Sequence, residues 1–225
     1  MSASTAPHGP LPKLTESIGT INVGALVFDG ADLLDIMGPM RIFGEELTKL
    51  DIKINFISSS LEPIRTTQQV KITPDYTLDN APKMDLFFIP GGIGTRTYVN
   101  SVDLLNKVKA RVEEATWCMT VCTGAGVLAK TGLADGYNMT TNKAVFEWPV
   151  SQGPNVNWIK RARWVQDGKF VSSSGVSAGI DAALYIISEW TNLERAEAVA
   201  TYIEYSWHKV AGDDPFADKY PYTRS

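Results

Sequence analysis

The chain has 225 residues, with 21 Lys and Arg against 25 Asp and Glu, a formal net charge of −4. Its 20% charged and 44% hydrophobic residues are those of a folded soluble protein and exclude a disordered chain. No basic stripe interleaved with aromatics is present to collect phosphates, and no run of about 18 apolar residues is present to cross a bilayer, so neither nucleic acid nor membrane is an expected partner.

In chain order, residues 1–19 read as a flexible arm whose three prolines and lack of an apolar core do not direct export. Residues 21–28, an apolar run closed by Asp29-Gly30, predict a buried strand. Met40, Ile42, Phe43 and Leu47 have helical spacing, with Pro39 in the first turn and Asp35 just before it. Residues 52–58 predict a second strand, and 70–73 a short hairpin strand after the turn at Glu62-Pro63. Residues 84–90 predict a strand closed by Gly91-Gly92-Ile93-Gly94, and 102–115 a helix with Leu104, Leu105, Val108 and Val112 on one face. A strand over 116–121 runs into a helix over 124–131, with Cys122 at the junction. Then follow a helix around 145–150, strands near 158–166 and 170–173, and helices over 179–190 and 193–207.

This alternation predicts one α/β domain over 20–210, a mostly parallel sheet flanked by helices on both faces in a flavodoxin-like sandwich, followed by a tail over 211–225. Ligands of such folds sit outside the carboxyl ends of the strands. The Asp35 loop, the Gly91-Gly92 turn and the Cys122 turn all fall there.

Only two cysteines occur, Cys118 and Cys122, roughly 13 Å apart on an extended strand and so beyond disulfide reach. Free thiols suit a reducing, cytoplasmic setting. Two histidines with no Cys-x-x-Cys or His-x-x-x-His spacing give no metal site, and no cofactor is expected. Cys118, in mid-strand, reads as a small core hydrophobe. Cys122 instead stands where helix N–H groups and the positive end of the macrodipole are expected to lower a thiol pKa. Its turn, Thr120-Val121-Cys122-Thr123-Gly124, matches the strained nucleophile elbow of α/β enzymes. Thr123, Gly92 and Ile93 are the candidate donors to developing negative charge. Gly124-Ala-Gly126-Val-Leu-Ala129 also fits a dinucleotide fingerprint, but the acidic residue that fingerprint requires falls at 144–147, within an expected helix.

Four blocks carry a resemblance: Val27 to Pro39 with Leu-Asp35-Ile-Met-Gly-Pro, Phe88-Ile-Pro-Gly-Gly92-Ile-Gly94, Val121 to Leu133, and Ser174-Gly-Val-Ser-Ala-Gly-Ile-Asp181. Together, from about residue 21 to 205, they resemble the ThiJ/PfpI superfamily of glutamine amidotransferase-like proteins, and within it the isonitrile hydratases. The resemblance implies Cys122 as nucleophile, Asp35 as proton-handling carboxylate, hydration of R–N≡C to an N-substituted formamide, and a homodimer with the nucleophile near its interface. A plain N-cap role for Asp35 stands beside that reading, and Asp181 reads as a structural acid at a helix start.

One departure is specific. Where hydratases have Thr-His, this chain has Thr141-Asn142-Lys143, and neither His8 nor His208 replaces the lost residue, so no Cys-His-acid triad is expected. Asn142 becomes a candidate for orienting substrate. The alternatives are a glutathione-independent glyoxalase, whose usual histidine is missing, and a cysteine redox sensor. A transcription regulator is disfavoured by the roughly 15 residues after the last helix, too few for a helix-turn-helix pair.

Overall fold

Short apolar runs in this chain must be covered on both faces, because each buried Val, Leu, Ile or Phe side chain contributes about 1.5–3 kcal/mol. A computed structural model, which describes residues 7–14 and 19–220, shows how they are covered. The strands are β1 (Ile21–Leu26), β2 (Ile52–Ser58), β3 (Ile64–Arg65), β4 (Lys71–Ile72), β5 (Tyr76–Thr77), β6 (Leu86–Ile89), β7 (Trp117–Val121), β8 (Asn138–Met139), β9 (Asn157–Trp158), β10 (Trp164–Asp167) and β11 (Phe170–Ser173). The helices are α1 (Leu33–Phe43), α2 (Thr95–Val99), α3 (Val102–Glu114), α4 (Gly124–Lys130), α5 (Glu147–Gln152), α6 (Ala178–Trp190) and α7 (Leu193–Tyr202), with a 3-10 turn at Glu46–Thr48.

Seven strands form one sheet in the order β10-β11-β7-β6-β1-β2-β5, parallel throughout except for β10. Every residue of β6, β7 and β11 is buried, as expected of central strands covered on both faces. The carboxyl ends of β11, β7, β6 and β1 therefore lie side by side. Cys118 sits inside β7, paired with Phe87 and Phe170 on the neighbouring strands, and burial pushes its thiol up to about 12. It is a core residue.

The first helix differs from the sequence expectation. Asp32 is the N-cap, its carboxylate accepting from the N–H groups of Leu34 and Asp35, so α1 begins at Leu33 and Asp35 lies inside its first turn. Pro39 is interior, and its missing N–H leaves the Asp35 carbonyl without its helical partner. The last helix also stops early, at Tyr202 instead of 207.

Both terminal segments are packed where they are described. Leu11 is buried, the Trp117 indole donates to the Pro12 carbonyl, and His8 stacks on Tyr137 beside Asp167. The expected flexible arm is thus laid against the sheet over residues 7–14, since its proline-rich backbone offers carbonyl acceptors and Leu11 an apolar anchor. Residues 1–6 and 15–18 of that arm lie outside the described residues. At the other end Asp214 and Ala217 are buried, against the patternless tail expected there.

Candidate active site

Cys122 has φ 55°, the left-handed conformation that non-glycine residues seldom adopt. Two long-range bonds hold it there: its N–H is shared between the carbonyls of Ser173 (3.3 Å) and Ser174 (3.1 Å) at the end of β11, and its carbonyl accepts from Thr141 Oγ1 (2.7 Å). The glycines that follow serve packing. A Cβ on Gly124 would lie 2.2 Å from the Ile89 carbonyl oxygen, and one on Gly126 2.9 Å from the Trp148 ring. The fingerprint-like spacing is accounted for by these close approaches.

Gly91 lies at the centre of the site. A Cβ there would meet Asp35 Oδ2 at 2.6 Å, the Thr123 nitrogen at 2.7 Å and Cys122 Cβ at 2.8 Å, so only glycine lets the carboxyl and the cysteine share this space. The loop before α1 is tied to the same turn, with Asp32 N–H donating to the Gly91 carbonyl and Gly91 N–H donating to Asp35 Oδ2 at 2.9 Å. Asp35 is fully buried, and its Oδ1 has no hydrogen-bond partner among the described residues. Burial first, and the charge of Asp32 second, push its carboxyl up to about 8, so Asp35 is protonated at neutral pH.

The sulfur is 20 residues in sequence from its side-chain donor. Asn142 Nδ2 donates to Cys122 Sγ at 3.1 Å, while Asn142 Oδ1 accepts from Ala144 N–H (2.8 Å) and Val145 N–H (3.2 Å), which fixes the direction of the amide. The backbone N–H groups of Thr123 and Val176 also point to the sulfur. These three donors favour a thiolate, but burial and the adjoining Asp35 outweigh them and push the thiol up. The expectation of a low thiol pKa at the helix end is corrected: α4 has only seven residues, and the thiol just before its Thr123 N-cap is buried.

The other anticipated donors divide. Gly92 N–H is already taken by Thr123 Oγ1 at 3.0 Å, so it is not a free oxyanion donor, and the Thr123 hydroxyl itself is held between Gly92 and Thr95. Ile93 N–H is uncommitted among the described residues, and its side chain is exposed. Val176, with φ 41° in the loop after β11, was missed as a donor although it lies within a quoted block. A signal was present: Ser174-Gly175 at a strand end repeats the logic of Gly91-Gly92.

Lys143 fills no catalytic vacancy. Its Nζ is buried among Thr140 Oγ1 (2.7 Å), the Thr141 carbonyl (2.9 Å), the Ala162 carbonyl (2.9 Å) and Asp214 Oδ2 (3.4 Å), and burial pulls its pKa down to about 8. Asp214 Oδ2 also accepts from Ser174 Oγ at 2.9 Å. A closed circuit results: Cys122, Ser174, Asp214, Lys143, Thr141 and back to Cys122. Asp181 is structural, buried against Arg163 Nε at 2.8 Å and accepting from His208 N–H. Among the described residues no cluster of three or more His, Cys, Asp or Glu is arranged to hold a metal ion, and no helix is long and apolar enough to cross a membrane.

A nearly all-parallel sheet with a left-handed cysteine at its carboxyl edge defines an α/β protein built on an elbow turn. The chain belongs to the DJ-1/PfpI family, whose pattern it matches over residues 22–189. It is 27% identical over 187 residues to an isonitrile hydratase of Pseudomonas putida, covering 83% of this chain and 79% of that one. It is also 25% identical over 182 residues to the HTH-type transcriptional regulator GbdR of Pseudomonas aeruginosa, of which it covers 49%. A crystal structure of a ThiJ/PfpI family protein from Pseudomonas syringae superposes with a TM-score of 0.76 at 27% identity, covering 88% of this chain and 78% of that one.

Proposed function

We propose that this protein is a cysteine-dependent hydro-lyase of the isonitrile hydratase type, adding water to R–N≡C to give an N-substituted formamide. The observation that carries the reading is a protonated Asp35 sharing the space over Gly91 with the Cys122 thiol. An isonitrile carbon has both a lone pair and an electrophilic character, so it takes up a proton and a nucleophile at one atom. Asp35 gives its proton to that carbon, Cys122 forms the C–S bond, and the thiol proton returns to the Asp35 carboxylate. No preformed thiolate is required, which agrees with two groups both held neutral. Water then adds to the thioimidate carbon, the nitrogen is protonated, and loss of the Cys122 thiol leaves the formamide.

The absent histidine disfavours the glyoxalase reading, and a buried thiol pushed up in pKa disfavours a peroxide sensor. Two free thiols are consistent with a cytoplasmic setting. The half-buried Leu33 and Met37 and exposed Leu34 of α1, with Gln68, leave an apolar patch beside the Asp35 turn that supports a homodimer joined near the site. The test is formamide production from an aromatic isonitrile, followed by NMR, in wild type, C122A and D35N. Turnover by wild type alone is expected; a folded wild type inert to aromatic and aliphatic isonitriles would sink the reading.

A further inference from the structure

A cavity of about 420 Å³ has walls that include Arg96, Phe146, Trp148, Lys160 and Tyr220. A second cavity of about 170 Å³ contains Asn142 and Val176, both donors to the sulfur, and shares Lys143, Ala144 and Tyr220 with the first. Through this shared wall the two cavities adjoin, the smaller bounded by the sulfur's donors and the larger by Arg96.

Arg96 is half-buried, and its guanidinium lies 3.7 Å from the centroid of the Trp148 ring. Its Nη1 donates to Thr95 Oγ1 at 3.0 Å and to the Gly92 carbonyl at 3.4 Å, yet among the described residues it pairs with no carboxylate. Stacking fixes the plane of the fork, and the bonds on one side leave the opposite N–H edge for a ligand. Lys160, whose Nζ donates to the Tyr220 carbonyl at 2.8 Å, also stands on the wall, and Glu147 is its one acidic residue. Lys143, also on the wall, is committed to Asp214. A thiolate formed at Cys122 would feel the Arg96 charge. The surrounding Val145, Phe146 and Trp148 suit an apolar body between the reacting atom and a planar anion.

We infer that the substrate carries a carboxylate, held by Arg96 on the Trp148 face, with its reacting carbon at Cys122. This rests on the hydratase reading and names its substrate class: an isonitrile with an acidic group at the far end of a short apolar or aromatic spacer. A charge-assisted bidentate contact corresponds to about tenfold or more in affinity.

Two measurements test it. The first compares kcat/KM for 4-isocyanobenzoate and its methyl ester. Wild type is expected to favour the acid by about tenfold or more, Arg96→Met to bring the ratio close to one, and Arg96→Lys to retain part of it. The second needs no turnover: benzoate and benzamide are compared as protectants of Cys122 against alkylation by iodoacetamide, read by intact-mass spectrometry. Benzoate is expected to protect at about tenfold lower concentration in wild type and to lose that advantage in R96M. Turnover of both isonitriles with no acid preference, or a preference that survives in R96M, overturns the subsite and leaves the hydratase reading standing. Selective benzoate protection without turnover of these or of aliphatic isonitriles keeps the subsite and removes the hydratase reading.

Discussion

Asn142 Nδ2 donates to Cys122 Sγ across 3.1 Å, and the amide cannot turn over because its oxygen is held by two backbone N–H groups. A neutral donor therefore occupies the position next to the sulfur, where a base would take the thiol proton. Replacing it with leucine removes a bond to the charged form worth about 1.5 kcal/mol or more. N142L is expected to slow iodoacetamide alkylation of Cys122 about tenfold at pH 8 and to move its pH midpoint upward. An unchanged alkylation profile would count against the role of this amide.

Asp35 gives a prediction in pH. Its folded pKa of about 8 lies above the ordinary carboxylate value, so between about pH 4 and 8 the unfolded chain releases a proton that the folded chain retains. Stability is present below that window and falls as pH rises through it. D35N lacks this loss, and thermal melts are expected to show it more stable than wild type at pH 7–8 and much closer to it at pH 4. Turnover should fall in wild type as pH rises through about 8 and be abolished in D35N throughout.

Gly91 admits no side chain. G91A brings a methyl group to within 2.6 Å of Asp35 Oδ2 and 2.8 Å of Cys122 Cβ. Overpacking of this kind costs about 1–3 kcal/mol, so the variant is expected to fold with a lowered melting temperature and to lose turnover by a factor of a hundred or more, on the order of 3 kcal/mol. Retention of wild-type turnover would show that the carboxyl and thiol need not share this space.

Asp214 tests the circuit that runs through Cys122. D214N leaves the buried Lys143 ammonium without its charge partner, a change that typically costs about 3–5 kcal/mol, here toward the lower end because three oxygen acceptors remain. Limited proteolysis is expected to cut within residues 211–220 in D214N and not in wild type. A D214N chain as stable and as protease-resistant as wild type would deny the tail this anchoring role.

The site was legible in sequence to the extent that its chemistry is local. Cys122 followed from a strand that ends in Thr-Val and a helix that begins in glycines, and the parallel sheet followed from short apolar runs separated by helical spacing. The start of α1 was not legible, because Pro39 favours a helix beginning at its own position, whereas the Asp32 cap is strengthened by Gln68, 36 residues away. The thiol pKa was misjudged for a similar reason: a helix end is visible in sequence, while the burial that opposes it depends on β11, Val176 and Asp35. The part of the tail around Asp214 has no periodicity, and its place is set by Lys143 and Ser174.

The left-handed backbone at Cys122 implies a conflict between two selections. A side chain in that conformation costs about 1–2 kcal/mol that glycine would not incur. A library randomised at this position and sorted only for survival on heating is therefore expected to enrich glycine, and the same library sorted for turnover to return cysteine. The residue proposed to perform the chemistry occupies one of the positions where the fold, judged by endurance alone, would discard it.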